Sequence, residues 1–579
     1  MRFHPTSFLL ASFALWTIYV IWPSRNRSTS SSHPRVRVYK NDESEFHFAD
    51  VGLKLAVNGT PPTGWYPFSP PDNYLVAPFN VQSTPAQPIP CVDQWISQGK
   101  ACPLPNPWAG RLDVVWTWIN GSEPVLGWSR EQALALTKKQ GQRPPFYFTG
   151  SRNAHFRDHG ELLNSMRSVL HSLPSGLVRK YMLFTADVAA DDTDELRLGS
   201  VPTWLDPDLP GLEVRHHSDF FRVPTSSLPS PSIDAERKAR DWRDSLVPSF
   251  NSLAIESQFA NLLDVAPALF YLNDDCFILR PLSASDLETP LYGPVFRIQW
   301  NLGVKSTPPG SISFRADKEG EWPGLEYTNW LLDQRFGKRE RRYLEHIAKV
   351  LPTALMQEVA AIWAVELAKG PQVNLPYLTI WYTIEKHREM LLYSYIMLRL
   401  DANADGLLSL AERRVLIDSL DSDHVPVALR TGGSAHHVNT NLRTAGLPVP
   451  KETEYDWLSS DGYPLITTVN DERGAAAHCV LDIEHCFVPG YALDVFKRVA
   501  FERPACGDCL IAHLVRASGP HGLGAFLPPP PPPANAMPTP LPKPTLKKQW
   551  QNATFLSGMG REFAVNSIQR YSYVVGEHL

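Results

Sequence analysis

The sequence predicts an α/β fold, and two observations set that class. Runs with strand-like and helix-like apolar spacing alternate from Leu112 to about Leu420, the pattern of helices layered on a sheet. Within them ALFYLNDDCFILRPL, Ala268 to Leu282, is a short apolar run in which Phe270, Tyr271 and Leu272 favour a strand. A third observation bounds the alternatives. With 43% apolar and 11% aromatic residues, the 579-residue chain has material for a large core, which excludes global disorder. A net charge of -5 gives no sign of a basic nucleic-acid surface.

The N-terminus comes first in order. From Pro5 to Ser24 no residue is charged, and Phe8 to Trp22 is almost wholly apolar. A span needs ~17 apolar residues at the least, so residues 1–5 read as a short cytosolic tail and 6–22 as a transmembrane signal anchor. A cleaved signal peptide is the alternative, but no small-x-small pattern precedes Arg25. Because few residues precede the anchor, the bulk of the chain is expected in the secretory lumen, as a single-pass type II protein. The sequons Asn26-Arg27-Ser28 and Asn552-Ala553-Thr554 suit that compartment. Residues 23–108, rich in Ser, Pro, Asn and Gly, read as a lumenal stem.

Cysteine usage agrees with an oxidising lumen, where disulfides are the default. Cys91 and Cys102 bracket one short loop, Cys479 and Cys486 another, and Cys506 and Cys509 form a C-x-x-C. Zinc held by the last four is the alternative. Cys276 is left over and reads as a small buried apolar residue.

The main domain is expected over 109–400. In RLDVVWTWINGSEP, Arg111 to Pro124, Val114, Val115, Trp116 and Ile119 read as a buried strand closed by the turn Asn120-Gly121-Ser122. In HFRDHGELLNSMRSVL, His155 to Leu170, a helix is expected with Leu162, Met166, Val169 and Leu170 facing the core. Asp158 is placed to cap it, with Glu161 completing a capping box. Arg157 and Arg167 are placed to meet phosphate, with surface charge as the plainer reading. HHSDFF, His216 to Phe221, precedes VPSFNSLAIES, Val247 to Ser257, where Glu256 is an acid in an apolar helix and so is expected to be paired or ligating. Asn273, Asp274 and Asp275 then fall where a strand ends, the usual place for ligands in open α/β sheets. Adjacent carboxylates in an apolar run call for a partner or a metal.

DANADGLLSLAE, Asp401 to Glu412, fits the EF-hand loop D-x-N-x-D-G-x5-E. Asp401, Asn403, Asp405, the Leu407 carbonyl, Ser409 and Glu412 supply oxygens, and Gly406 makes the sharp turn. Met390 to Leu400 and Leu410 to Leu420 read as flanking amphipathic helices. A single loop favours a structural Ca2+ over a sensor. Residues 413–516 are assigned to the rest of the catalytic domain, 517–547 to a proline-rich linker containing Pro528 to Pro533, and 548–579 to a C-terminal segment.

Five blocks in order resemble the Stealth family of sugar-phosphate transferases: DVVWTWINGS at 113–122, F-R-D-x-G-E-L at 156–162 with S-M-R-S at 165–168, P-S-F-N-S-x-A-I-E-S at 248–257, Y-L-N-D-D at 271–275, and RFGKRERRYLEHIAKV at 335–350. The layout looks closest to the fungal xylosylphosphotransferases, relatives of the lysosomal-enzyme N-acetylglucosamine-1-phosphotransferase. The resemblance implies a Rossmann-like, GT-A-like nucleotide-sugar transferase core in a Golgi membrane protein. It implies transfer of a sugar-1-phosphate from a UDP-sugar to a hydroxyl of a mannose-containing glycan, with release of UMP. Asp274 and Asp275 are then the candidates for Mn2+ or Mg2+, and His346 for the general base. Asp113, Trp118, Asn120, Gly121, Arg157, Asp158, Glu161, Arg167, Glu256 and Asn273 are the donor-binding candidates, with Arg339, Arg341 and Arg342 as further phosphate contacts. The chain departs from the family at His155, Leu163-Asn164 and Ala260, which leaves the sugar open. The rivals are a metal-dependent glycosyltransferase releasing UDP and an inactive, calcium-stabilised glycan-binding relative.

Overall fold

The computed structural model describes residues 63–577 except 77–88, 105–110, 140–157, 190–195, 228–233, 310–320, 370–371, 421–423, 429–434, 465–477, 520–521, 531–545, 554 and 556–559. All of them belong to the unit Phe48–Leu579. The anchor at 6–22, most of the stem, His155 and Arg157 lie outside the described residues. Among the described residues no helix is long and apolar enough to cross a membrane.

Five strands form the central sheet: β1 (Leu112–Thr117), β2 (Val178–Thr185), β3 (Leu212–His216), β4 (Ala268–Asn273) and β5 (Lys349–Pro352), in the order β5-β4-β1-β2-β3. The first four run parallel and β5 runs antiparallel to β4. A strand covered on both faces should be apolar throughout rather than alternating, and β1 and β4 are so. Val115, Met182, Leu269, Tyr271 and Leu351 enter one core. Their neighbours Val114, Trp116, Leu183, Phe270, Leu272 and Val350 enter the other. The alternation follows the two-residue period of a strand.

The helix α1 (Glu161–Ser172) covers the second core with Leu162, Ser165, Met166 and Val169. Two sequence expectations are corrected here. Leu170 is 59% exposed, because Ser165 and Ser172 complete the stripe in its place. The capping box does not form: Gly160, at φ 81°, is the N-cap, so Glu161 is the first helical residue. The Asp158 side chain accepts the Gly160 N–H at 2.8 Å, and Glu161 accepts the His159 N–H at 2.6 Å. Ser165 Oγ takes the Trp116 indole N–H at 2.9 Å and donates to the Cys276 carbonyl at 2.5 Å, tying α1 to the segment beyond β4.

The other core is built around α2 (Leu375–Tyr393), every residue of which is buried. The helix is therefore not the amphipathic flank expected over Met390 to Leu400, where a π-helical turn, Ser394–Leu400, leads into Asp401. Its charged face is paired internally. Arg335 binds Glu389 at 2.8 Å, Arg341 binds Glu385 at 2.9 Å and Asp333 at 2.7 Å, and Arg339 and Arg388 share Asp508. Uncompensated buried charge would be costly; here opposite charges meet. The C-terminal strand Val574–Glu577 pairs between Gly293–Phe296 and Glu454–Leu458.

Cys91 is bonded to Cys102, and Cys486 to Cys506. Cys486 thus does not close the 479–486 loop, Cys506 does not bond Cys509, and the zinc alternative fails because Cys486, Cys506 and Cys509 are all in disulfides. Cys506 opens the helix Pro504–Ser518 against Cys486, and Cys509 is disulfide-bonded as well. Cys276 is free and buried.

Candidate active site at the carboxyl edge of the sheet

The parallel strands end together. Thr117 lies opposite Asn273, and Thr185 opposite His216, so the loops after β1, β2, β3 and β4 open on one edge. The antiparallel β5 starts at the same edge, with Lys349 opposite Tyr271, which brings His346 beside the residues that follow β4. His346 Nε2 is 3.6 Å from Asp275 Oδ2. That interaction holds the Asp275 carboxyl below its ordinary range and lifts the His346 imidazole above its own. The Cys276 thiol is 4.0 Å from Asp275 on the buried side.

Asp274 sits differently. Burial, then the neighbouring charges of Asp275, Glu161 and Asp158, push its pKa up to about 7. The structure therefore gathers acids from the start of α1 and the end of β4 around a carboxylate that has no ion pair among the described residues. Like charges crowded this closely favour either a proton or a cation.

Glu256 closes the helix Ser252–Glu256, whose first turn is capped by Asn251 accepting the Ala254 N–H at 3.2 Å. It is 7% exposed, and burial pushes its pKa up to about 7. Tyr271 Oη is 2.8 Å from Glu256 Oε1 and 2.5 Å from Asn273 Oδ1. One phenolic proton cannot serve both acceptors. A protonated Glu256 donating to Tyr271, which donates in turn to Asn273, satisfies the chain. The second oxygen, Oε2, is buried without a hydrogen bond.

Other sequence candidates fall elsewhere. Asp113 is at the opposite end of β1, held by Arg179 at 2.9 and 2.6 Å and by the Ala266 N–H at 2.7 Å. Its role is to tie β1 to β2, away from the carboxyl edge. Trp118 is buried in the core with its backbone N–H on the Phe184 carbonyl. Asn120 shapes the turn through the Ser122 N–H at 3.0 Å, beside Gly121, where the chain reverses after β1. Arg167 is exposed on α1. Arg339 and Arg341 are not phosphate contacts, because both are buried in the ion pairs around α2; Arg342 pairs with Glu340 at 3.1 Å. HHSDFF closes β3: Asp219 accepts the His216 N–H at 2.8 Å, and Ser218 donates its N–H to Asp187 at 3.0 Å. The replacement at Ala260 is buried beside Phe259 and Asn261.

Sequence reasoning missed Tyr271, Glu321 and Lys349, all of which act on Glu256. A tyrosine in an apolar strand reads as core, and nothing local marks its hydroxyl. Glu321 and Lys349 come to the site only through the pairing of β5 with β4 and the position of the helix that starts at Trp322.

The loop 401–412 is a second, separate constellation. Asp401 Oδ2 accepts the Gly406 N–H at 3.1 Å, while Oδ1 is buried and unpaired. Gly406 has φ 77°, a conformation suited to glycine. Ser409 donates its N–H and hydroxyl to Glu412, both at 2.8 Å. Leu407–Leu408 pairs with Gly490–Tyr491, and the Ala492 N–H binds the Gly406 carbonyl at 2.9 Å, so the loop is strapped to the main fold.

No protein-family model matches the chain. Curated relatives do. The chain is 27% identical, over 96% of its length and 79% of the relative's, to a 3-O-alpha-D-mannopyranosyl-alpha-D-mannopyranose xylosylphosphotransferase of Cryptococcus neoformans var. grubii. It is 27% identical, over 90% of its length and 74% of the relative's, to the protein of the same name in C. neoformans var. neoformans serotype D strain JEC21. Over 43% of this chain it is also 27% identical to an exopolysaccharide phosphotransferase of Streptomyces coelicolor, covering 37% of that protein.

Proposed function

We propose that this chain, a phosphotransferase of the Stealth family, moves a sugar-1-phosphate, xylose-1-phosphate first among the candidates, from a UDP-sugar to a hydroxyl of a mannose-containing glycan. The observation that carries the reading is the meeting of His346 with Asp275 at the sheet edge, beside Asp274 and Glu256. Asp275 orients the imidazole. His346 in its neutral form accepts the acceptor hydroxyl's proton as the oxygen attacks the donor's β-phosphorus. UMP leaves, and the anomeric C–O bond is untouched. Such a step needs in-line positioning and charge neutralisation more than covalent help.

Asp274 and Asp275, with Asp158 and Glu161 alongside, are the residues that would hold Mn2+ or Mg2+; crowded carboxylates, with Asp274 in no ion pair among the described residues, suit a hard divalent ion. When bound, that ion would neutralise charge on the diphosphate. Asp401, Asn403, Asp405, Leu407, Ser409 and Glu412 would hold Ca2+ in a structural role. The fit rests on the buried, unpaired Asp401 oxygen and on a loop strand paired with Gly490–Tyr491. The reading includes a Golgi location with a type II anchor at 6–22 and the catalytic part in the lumen. Incubation with UDP-xylose, Mn2+ and a mannose disaccharide, followed by chromatography of the nucleotide, tests it: UMP supports the proposal, and UDP as the sole product ends it.

A further inference from the structure

We propose that Trp322, Tyr343 and Glu321 form the subsite that seats the acceptor sugar ring; this rests on the phosphotransferase reading. Trp322 opens the helix Trp322–Phe336, and Tyr343 lies in the strand Arg341–Leu344. Their rings stack with centroids 5.5 Å apart at 28°. Both are only partly buried, although each packs against the large core. The Tyr343 hydroxyl donates to Glu321 Oε1. The other Glu321 oxygen takes no hydrogen bond among the described residues, and the carboxylate is held in place with one acceptor to spare.

A pyranose presents the complementary chemistry. Its C–H face is weakly positive and fits against the negative face of an aromatic ring. Its rim of hydroxyls donates to a carboxylate, a charge-assisted bond stronger than a neutral one. Position fits as well. Tyr343 is three residues before His346, at most ~10 Å at the rise of an extended chain, and His346 meets Asp275 at 3.6 Å. Glu321 also acts electrostatically on both Glu256 and His346, so the platform lies near the proposed base. The acids Asp158, Glu161 and Asp274 gather at the start of α1, leaving the aromatic platform on the His346 side for the second substrate.

The test is steady-state kinetics with UDP-xylose and a mannose disaccharide, with calorimetric titration of UDP as a check on the fold. Trp322→Ala should raise the acceptor KM about ten-fold, the equivalent of roughly 1.4 kcal/mol, with the donor KM and UDP affinity kept. Trp322→Phe should recover most of the loss, and Glu321→Gln should raise the acceptor KM by a smaller factor. An unchanged acceptor KM in Trp322→Ala overturns the assignment. So does a parallel loss of UDP affinity, which would mean a structural role. If the parent protein releases no UMP, the phosphotransferase reading fails instead. Direct titration of the disaccharide then decides the subsite: binding lost in Trp322→Ala supports it, and binding retained overturns it.

Discussion

Replacing Glu256 by glutamine preserves the side chain's shape and mimics its protonated form, since the amide N–H can donate to Tyr271 as the acid does. The carboxyl has a pKa of about 7 in the fold against an ordinary 4.5, with burial the main cause. A raised pKa means the native state binds the proton more tightly. The stability it contributes is complete below 4.5 and is lost as the pH rises through about 7. Integrated over that window, the loss is about 3 kcal/mol. Glutamine does not titrate and escapes the loss. For a fold of this size, unfolding entropy is on the order of 1 kcal/mol per degree, so Glu256→Gln should melt roughly 3 °C above the parent at pH 8. At pH 4.5 the two should nearly coincide. Melting curves without divalent metal or nucleotide at both pH values measure the difference. An equal offset at both, or a parent that gains on the variant as the pH rises, would refute the argument that Glu256 is a desolvated acid.

Other expectations concern the edge of the sheet and the loop. His346→Gln should lower kcat by about 100-fold or more, the usual contribution of a general base. In the parent, activity should rise with pH through a His346 pKa held above 6.5 by Asp275; in metal-free protein Asp275→Asn should move the imidazole titration, followed by NMR, to lower pH, and an unmoved titration would separate the pair. Asp274→Ala should abolish turnover and leave a folded protein by circular dichroism, and near-normal activity would remove Asp274 from the metal site. Glu412→Gln should lower the melting temperature in Ca2+ to that of chelated parent, whereas an unchanged value would count against a structural calcium ion.

What could be read in the sequence was what a short stretch encodes by itself. β1 and β4 were legible because central parallel strands are apolar without interruption, and Asn273-Asp274-Asp275 stood out against that background. The oxygen spacing of Asp401 to Glu412 and Gly406 needed no partner to be seen. What depended on tertiary placement was not legible. Asp113 lies in the same block as Trp118 and Asn120, but the direction of β1 sends it to the far end of the sheet, onto Arg179. Arg339 and Arg341 read as a phosphate-binding cluster until α2 supplies Glu385, and the helix Pro504–Ser518 supplies Asp508, from distant positions in the chain. The α1 cap failed for a local reason, because Gly160 takes the N-cap and shifts the helix start. The Cys486–Cys506 bond crosses between two motifs that were each locally self-consistent.

The central claim is that phosphorus, not the anomeric carbon, is the electrophile. A UDP-sugar carrying a heavy oxygen isotope only in the bridge between the anomeric carbon and the β-phosphorus distinguishes the two by mass spectrometry of the products. The account predicts that the label travels with the sugar-phosphate into the glycan. Label found in a released nucleotide would contradict it.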